Sequence, residues 1–231
     1  MTNVARVIPR QLPALVVVAM LAACGGGGDE PTAVAQATAN RAPAAQEAGL
    51  AALPSQPLSV AEAQSLAFMR EEEQLAHDVY LYSARLWTVL PIFSQIADSE
   101  ASHAAAVQSL LDRYGLPDPL AGLPSGSFST AEFQALYDEL VAVSSLGLVD
   151  ALRVGLQIEE LDIRDIEAQK AVVDNDDILR VYDQLLRGSR NHLRAYAAQV
   201  RLISGAAYLA QILEQREVDA IIFRATERCG P

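Results

Sequence analysis

Glu100 and His103 stand three residues apart in the stretch Ile92–Tyr114, IFSQIADSEASHAAAVQSLLDRY. Around them Phe93, Ile96, Ala97, Ala104, Val107, Leu111 and Tyr114 recur at the i, i+3, i+4, i+7 spacing of an amphipathic helix. At roughly 100° per residue, both polar groups fall in the middle of the apolar face and point toward a core. A carboxylate and an imidazole on a buried face cost free energy unless something neutralises them. A metal held by Glu-x-x-His does this in helical bundles, and a hydrogen-bonded pair without an ion is the other solution.

Three further segments offer metal-competent groups at inward positions. In the first, Val60 to Leu90, the apolar face is crossed by Glu71-Glu72-Glu73. Helical phase puts Glu71 on the wet side with Arg70, Gln74, Asp78 and Arg85. Glu72 falls near the middle of the apolar arc, and Glu73 at its edge beside Met69, Ala76 and Tyr80. In Leu148 to Lys170, Glu159 is central, Asp162 flanks it one turn on, and Glu160 projects with Arg153, Arg164 and Glu167 to the polar side. In Asp176 to Ile203 the stripe is centred on His192. Phase errs by about a residue, so Glu72 and Glu73 both stay candidates, as do Glu159 and Glu160. Inward carboxylates with no inward Arg or Lys repel one another and need protons or a cation. Carboxylate with imidazole suits iron first, with manganese or zinc as alternatives, rather than calcium. His77 reads as a surface residue, and Tyr80 and Tyr196 as core aromatics.

The elements that position these groups are helical throughout. Ser59-Val-Ala-Glu62 is a capping-box start, Pro91 suits a first helical turn and Gly115 a helix stop. Leu116 to Ser127 carries three prolines and two glycines and reads as a loop. Ser129-Thr-Ala-Glu132 caps a short helix to about Val143. Together these make a long crossover between two helix hairpins. Beyond Gly205 a short extended piece and a docking helix, Glu214 to Phe223, are expected. No Gly-rich phosphate loop, nucleophile elbow or paired CxxC occurs.

The chain has 231 residues, 51% hydrophobic and 20% charged, which suits one globular domain plus an appendage. Arg6 and Arg10 precede an apolar run, Leu15 to Ala23, too short to span a bilayer. The run ends Leu21-Ala22-Ala23-Cys24 and resembles a bacterial lipobox, so residues 1–23 are expected to be a lipoprotein signal peptide. Residues 24–57 would then be a flexible tether carrying a lipidated Cys24, and residues 58–231 the helical domain. With Gly25 rather than Asp after the cysteine, the expected place is the cell envelope, on the outer membrane facing the periplasm. Removing two arginines and no acid with the signal takes the net charge from −12 to −14, which argues against nucleic acid and anionic membrane surface as partners. Cys229 is left as a thiol near the C-terminus that could pair between molecules.

The segments FMREEEQLAHDVYLY, ADSEASHAAAVQSLLDRYGL, IEELDI and LLRGSRNHLRAY, in that order, resemble a ferritin-like family, the domain-of-unknown-function family 2202. The resemblance spans roughly Leu58 to Ile222. It implies an all-α fold, a ferritin-like antiparallel four-helix bundle with a long crossover containing a short helix, plus a short C-terminal helix. It also implies metal ligands at Glu72 or Glu73, Glu100, His103, Glu159 or Glu160, and His192. One position departs from the full di-iron pattern. Where Glu-x-x-His is expected on the fourth long helix, the chain reads Ser189-Arg190-Asn191-His192. Asp162 filling the gap, or a site for one ion instead of two, would account for it. The expected function is a metal-binding envelope lipoprotein, with a metal-dependent oxidoreductase handling iron, oxygen or peroxide as its enzymatic form. The rival is a non-catalytic bundle that binds another protein or pairs as a homodimer.

Overall fold

A computed structural model describes residues 56–228, and these form six helices and no strand. They are α1 (Val60–Leu86), α2 (Ile92–Tyr114), α3 (Ala131–Ser144), α4 (Leu148–Lys170), α5 (Asp176–Ser204) and α6 (Gln215–Ile222). The expected signal peptide, the tether through residue 55 with Cys24, and Cys229 lie outside the described residues. Among the described residues no helix is long and apolar enough to cross a membrane.

The capping box forms as its sequence predicts: Ser59 Oγ accepts the Glu62 N–H at 3.1 Å, and Glu62 Oε2 accepts the Ser59 N–H at 2.8 Å. The other oxygen of Glu62 accepts the backbone N–H groups of Asp174 and Asn175 and the Asn175 side-chain amide. One carboxylate thus caps α1 and ties its start to the α4–α5 turn. The expected run of α1 to Leu90 is corrected to Leu86. Trp87 leaves helical geometry and donates its indole N–H to Ser144 O at 2.9 Å, pinning the end of α1 to the end of α3. The residues before Pro91 then turn the chain, since α-helical geometry is disfavoured just before proline. At the far end of α2, Gly115 takes φ 65° and the Leu116 N–H bonds Leu111 O, a left-handed cap that needs glycine.

Cross-helix bonds fix the direction of each rod. Ser65 near the start of α1 meets Tyr182 near the start of α5, and Tyr114 at the end of α2 meets Asp177 at the start of α5. Tyr80 late in α1 bonds Gly155 and Glu159 in the first half of α4. Hence α1 is antiparallel to α2 and α4, α5 is antiparallel to α2 and α4, and α1 runs parallel to α5. That arrangement forces the segment between α2 and α4 to travel the length of the bundle, and α3 lies in it, packed against α1 and α4. Leu66, Met69, Val79, Phe93, Ile96, Leu110, Leu111, Leu152, Leu156, Tyr182, Leu193 and Tyr196 form the fully buried core.

Two faces expected to be wet are covered. Glu71 and Asp78 are only 2% and 4% exposed. The crossover lies over them: Glu71 Oε1 accepts the N–H groups of Ser129 and Thr130 at the start of α3, and Asp78 accepts the Gly126 N–H. Phe68 of α1 packs at a tilt against Phe133 of α3, ring centroids 5.2 Å apart. Residues 206–214 are irregular rather than extended, and α6 docks through Val218 and Ile221.

Candidate metal centre

The helix register of α2 sends Glu100 and His103 inward as expected: Glu100 is fully buried and His103 nearly so. His103 Nδ1 lies 2.6 Å from Glu100 Oε2 and 3.4 Å from Glu73 Oε2. His192 Nδ1 lies 2.6 Å from Glu100 Oε1 and 3.6 Å from Glu159 Oε2. The five residues come from all four long helices and make two triads, Glu73–Glu100–His103 and Glu100–Glu159–His192. Within each, one ligand atom per residue lies within 4.8 Å of the others. Glu100 belongs to both, one oxygen to each histidine.

Residues outside the triads hold them in place. Tyr80 donates to Glu159 Oε1 at 2.6 Å, aiming the other oxygen at His192. Ser99 Oγ sits 3.1 Å from His192 Nε2. A donated Nε2–H there leaves the Nδ1 lone pair facing Glu100 and Glu159, the tautomer a metal ligand needs. Gly188 lets α5 pass over His103: a Cβ there would come within 2.4 Å of His103 Cε1. Gly155 does the same for the Tyr196 ring, at 2.6 Å. Ser99 and Gly188 were not singled out from the sequence. The signals were a hydroxyl preceding Glu100 and a glycine four residues before His192.

The electrostatics are those of a site short of positive charge. Glu73 Oε1 and Oε2, Glu100 Oε1, Glu159 Oε2, both oxygens of Asp162, and His192 Nδ1 are buried without a hydrogen-bond partner. His192 Nδ1 and Glu100 Oε1 are close yet out of hydrogen-bond geometry, as two ligands aimed at a common cation would be. Among the described residues no Arg or Lys is buried. Burial pushes Glu73 up to about 7, against the pull of His103 and with the repulsion of Glu100. Burial likewise raises Glu159 to about 7, against His192 and with Glu100. Burial would raise Glu100 too, but the His192 and His103 charges overcome it and hold that carboxyl far below its usual range. Burial would lower the histidines, but Glu100 lifts His192 to about 9 and His103 well above normal. Without a cation the cluster needs protons on both imidazoles and on several carboxyls. The donor set therefore fits a metal.

The two remaining candidates are placed elsewhere. Glu72 is buried beside Asp165 and Arg164: burial raises its pKa well above normal, and Asp165 adds to the shift. Glu160 is fully buried but faces away from the triads. It accepts the Tyr208 hydroxyl and the backbone N–H groups of Gln211, Ile212 and Leu213, the last two at 2.8 Å. Ser189, at the departure from the di-iron pattern, donates to Leu185 O at 3.1 Å along its own helix.

An all-helical bundle with a buried carboxylate–imidazole cluster is the class that fold and site define. Residues 62–225 match the uncharacterised protein domain DUF2202, and the chain belongs to that family. It is 45% identical over 181 residues to the uncharacterised protein MJ0754 of Methanocaldococcus jannaschii, covering 78% of this chain and 96% of that one. It is also similar to the crystal structure of hypothetical protein MJ0754 from Methanococcus jannaschii DSM 2661. There the TM-score is 0.73 at 44% identity, covering 76% of this chain and 99% of that one.

Proposed function

We propose that the chain is a ferritin-like, metal-binding envelope lipoprotein whose Glu73, Glu100, His103, Glu159 and His192 hold a transition metal, iron first and manganese or zinc as alternatives. The observation that carries this reading is the convergence of buried ligand atoms in the two triads: Glu73 Oε2, Glu100 Oε1, Glu159 Oε2 and His192 Nδ1 have no hydrogen-bond partner, while His103 Nδ1 and Glu100 Oε2 share a hydrogen bond. Burying carboxylates without partners costs several kcal/mol in general terms, and a bound cation reverses that cost. The antiparallel neighbours and the lengthwise crossover support the ferritin-like topology.

When bound, iron or manganese would supply Lewis-acid and one-electron chemistry, and zinc Lewis-acid chemistry alone. The chain's own part is to fix the donors. Tyr80 and Ser99 orient Glu159 and His192, and burial of all five ligand residues keeps them from bulk water. The envelope placement rests on the lipobox-like Leu21–Cys24. It predicts incorporation of labelled palmitate in a bacterial host that Cys24→Ser abolishes.

The direct test is elemental analysis of the protein purified without chelator or affinity metal, beside Glu100→Ala and His103→Ala. Near-stoichiometric iron, manganese or zinc that both substitutions remove is the expected result. Loss of Glu100 should weaken binding by more than the 10–100-fold that an outer-shell partner costs. A parent free of metal even after anaerobic iron loading, with folded variants, overturns the reading and leaves the protein-binding rival.

A further inference from the structure

We propose that Asp162 is a further metal ligand, supplying from α4 the carboxylate that α5 lacks, so that the centre holds two divalent cations sharing Glu100. This rests on the metal-binding reading above.

Asp162 is 1% exposed, and neither of its oxygens has a hydrogen-bond partner. It lies three residues after Glu159 on α4, hence on the same inward face of the helix. Burial raises its pKa well above normal, and the charges of Glu72, then Glu73, Glu159 and Glu100 add to the shift. No buried Arg or Lys is at hand among the described residues to pair with it. A carboxylate in that position is tolerable as a proton-bearing acid or as a ligand, and the ligand role accounts for three further facts.

The first is the donor count. A bundle site for two ions draws a carboxylate from each of two helices and a Glu-x-x-His from each of the others. Here α1 gives Glu73, α4 gives Glu159, α2 gives Glu100 and His103, and α5 gives His192 alone. Asp162 restores the sixth residue. The second is charge: two divalent cations would balance the four carboxylates Glu73, Glu100, Glu159 and Asp162, for which no buried Arg or Lys is present among the described residues. The third is the division of Glu100, whose two oxygens each lie 2.6 Å from a different histidine, as a carboxylate spanning two ions must. Ser189 cannot play this part because its hydroxyl is bonded to Leu185 O.

The test loads the chelator-stripped full chain with Mn2+ alone and reads ions bound per chain, affinity, and the electron paramagnetic resonance spectrum, for the parent and Asp162→Asn. The amide copies the shape of a protonated Asp162, so a residue that is merely a buried acid would leave all three readouts unchanged. The expected result is two ions with an exchange-coupled spectrum in the parent. In the variant the second ion should bind at least about tenfold more weakly, with the uncoupled spectrum of a single ion. Asp162→Ala carries the same comparison if the amide variant does not fold. A parent that binds one ion, or two ions bound equally well by the variant, overturns the role of Asp162 and leaves metal binding standing. A parent that binds none overturns the metal reading itself.

Discussion

Glu159 and Glu160 are neighbours on α4, both fully buried, and they live in opposite circumstances. Glu160 looks toward the C-terminal segment and is saturated with donors: one phenol and three backbone N–H groups. Glu159 looks into the bundle, holds one donor, Tyr80, and leaves its second oxygen facing His192 without a hydrogen bond. A buried carboxylate whose lone pairs are all taken has finished its work as structure. One whose lone pairs converge with those of other buried acids needs a proton or a cation.

The largest effect expected from this contrast is a double dissociation. Glu160→Gln puts an amide donor where backbone donors converge and orphans at least one of them. It should cost about 3 kcal/mol, a fall in Tm of roughly 6–12 °C for a domain of this size, with metal content per folded chain unchanged. Glu159→Gln should do the reverse, removing metal while changing the stability of the stripped protein by less than about 1 kcal/mol. Calorimetry and elemental analysis on the same preparations check both, and matching behaviour of the two variants would erase the distinction drawn here.

A smaller effect tests how tightly the site is built. Gly188→Ala places a Cβ 2.4 Å from His103 Cε1 and 2.6 Å from Nε2. The imidazole must move, at a cost of about 1–3 kcal/mol, and metal affinity should fall although no ligand has changed. Unaltered affinity in a titration would mean that His103 is not held where its ligand role requires.

The smallest concerns the saturated end of the molecule. Arg190 and then Arg194 hold Glu227 at about 2, below the usual 4.5. For Glu62 burial pushes upward, but the N–H groups of Ser59, Asp174 and Asn175 prevail and bring it also to about 2. Both titrate lower when folded than when unfolded. Their contribution is therefore full above pH 4.5 and is lost as pH falls toward 2. Glu227→Gln should flatten part of that acid loss in a pH series of thermal melts and leave stability near neutral pH only modestly reduced. An acid limb of unchanged steepness would argue against the clamp.

Much of the architecture was legible from local pattern. The capping box at Ser59, the bounds of α2 and α4 and the inward aim of Glu100, His103, Glu159 and His192 follow from a 3.6-residue period, which needs no knowledge of neighbours. The failures at Glu71, Asp78 and Glu160 share one cause. Periodicity identifies a single buried face, and these helices have two. The crossover roofs the second face of α1, and the C-terminal segment roofs that of α4, each with irregular backbone whose N–H groups need acceptors. An acid on such a face looks like a solvated residue in sequence and acts as a cap in the fold. The choice of Glu73 over Glu72 for the cluster is of the same kind, since one residue of helix phase separates Asp165 from His103 as a neighbour.

The sequence by itself determined that this chain is helical, acidic and built around buried glutamate and histidine, because helix period and residue chemistry are local properties. Only the tertiary structure decided which acids share His103 and His192, that Glu100 serves both, and that Asp162 is buried without a hydrogen-bond partner. Those facts depend on how closely four separate helices approach one another, and Gly188 and Gly155 permit that approach without any periodic signal of their own.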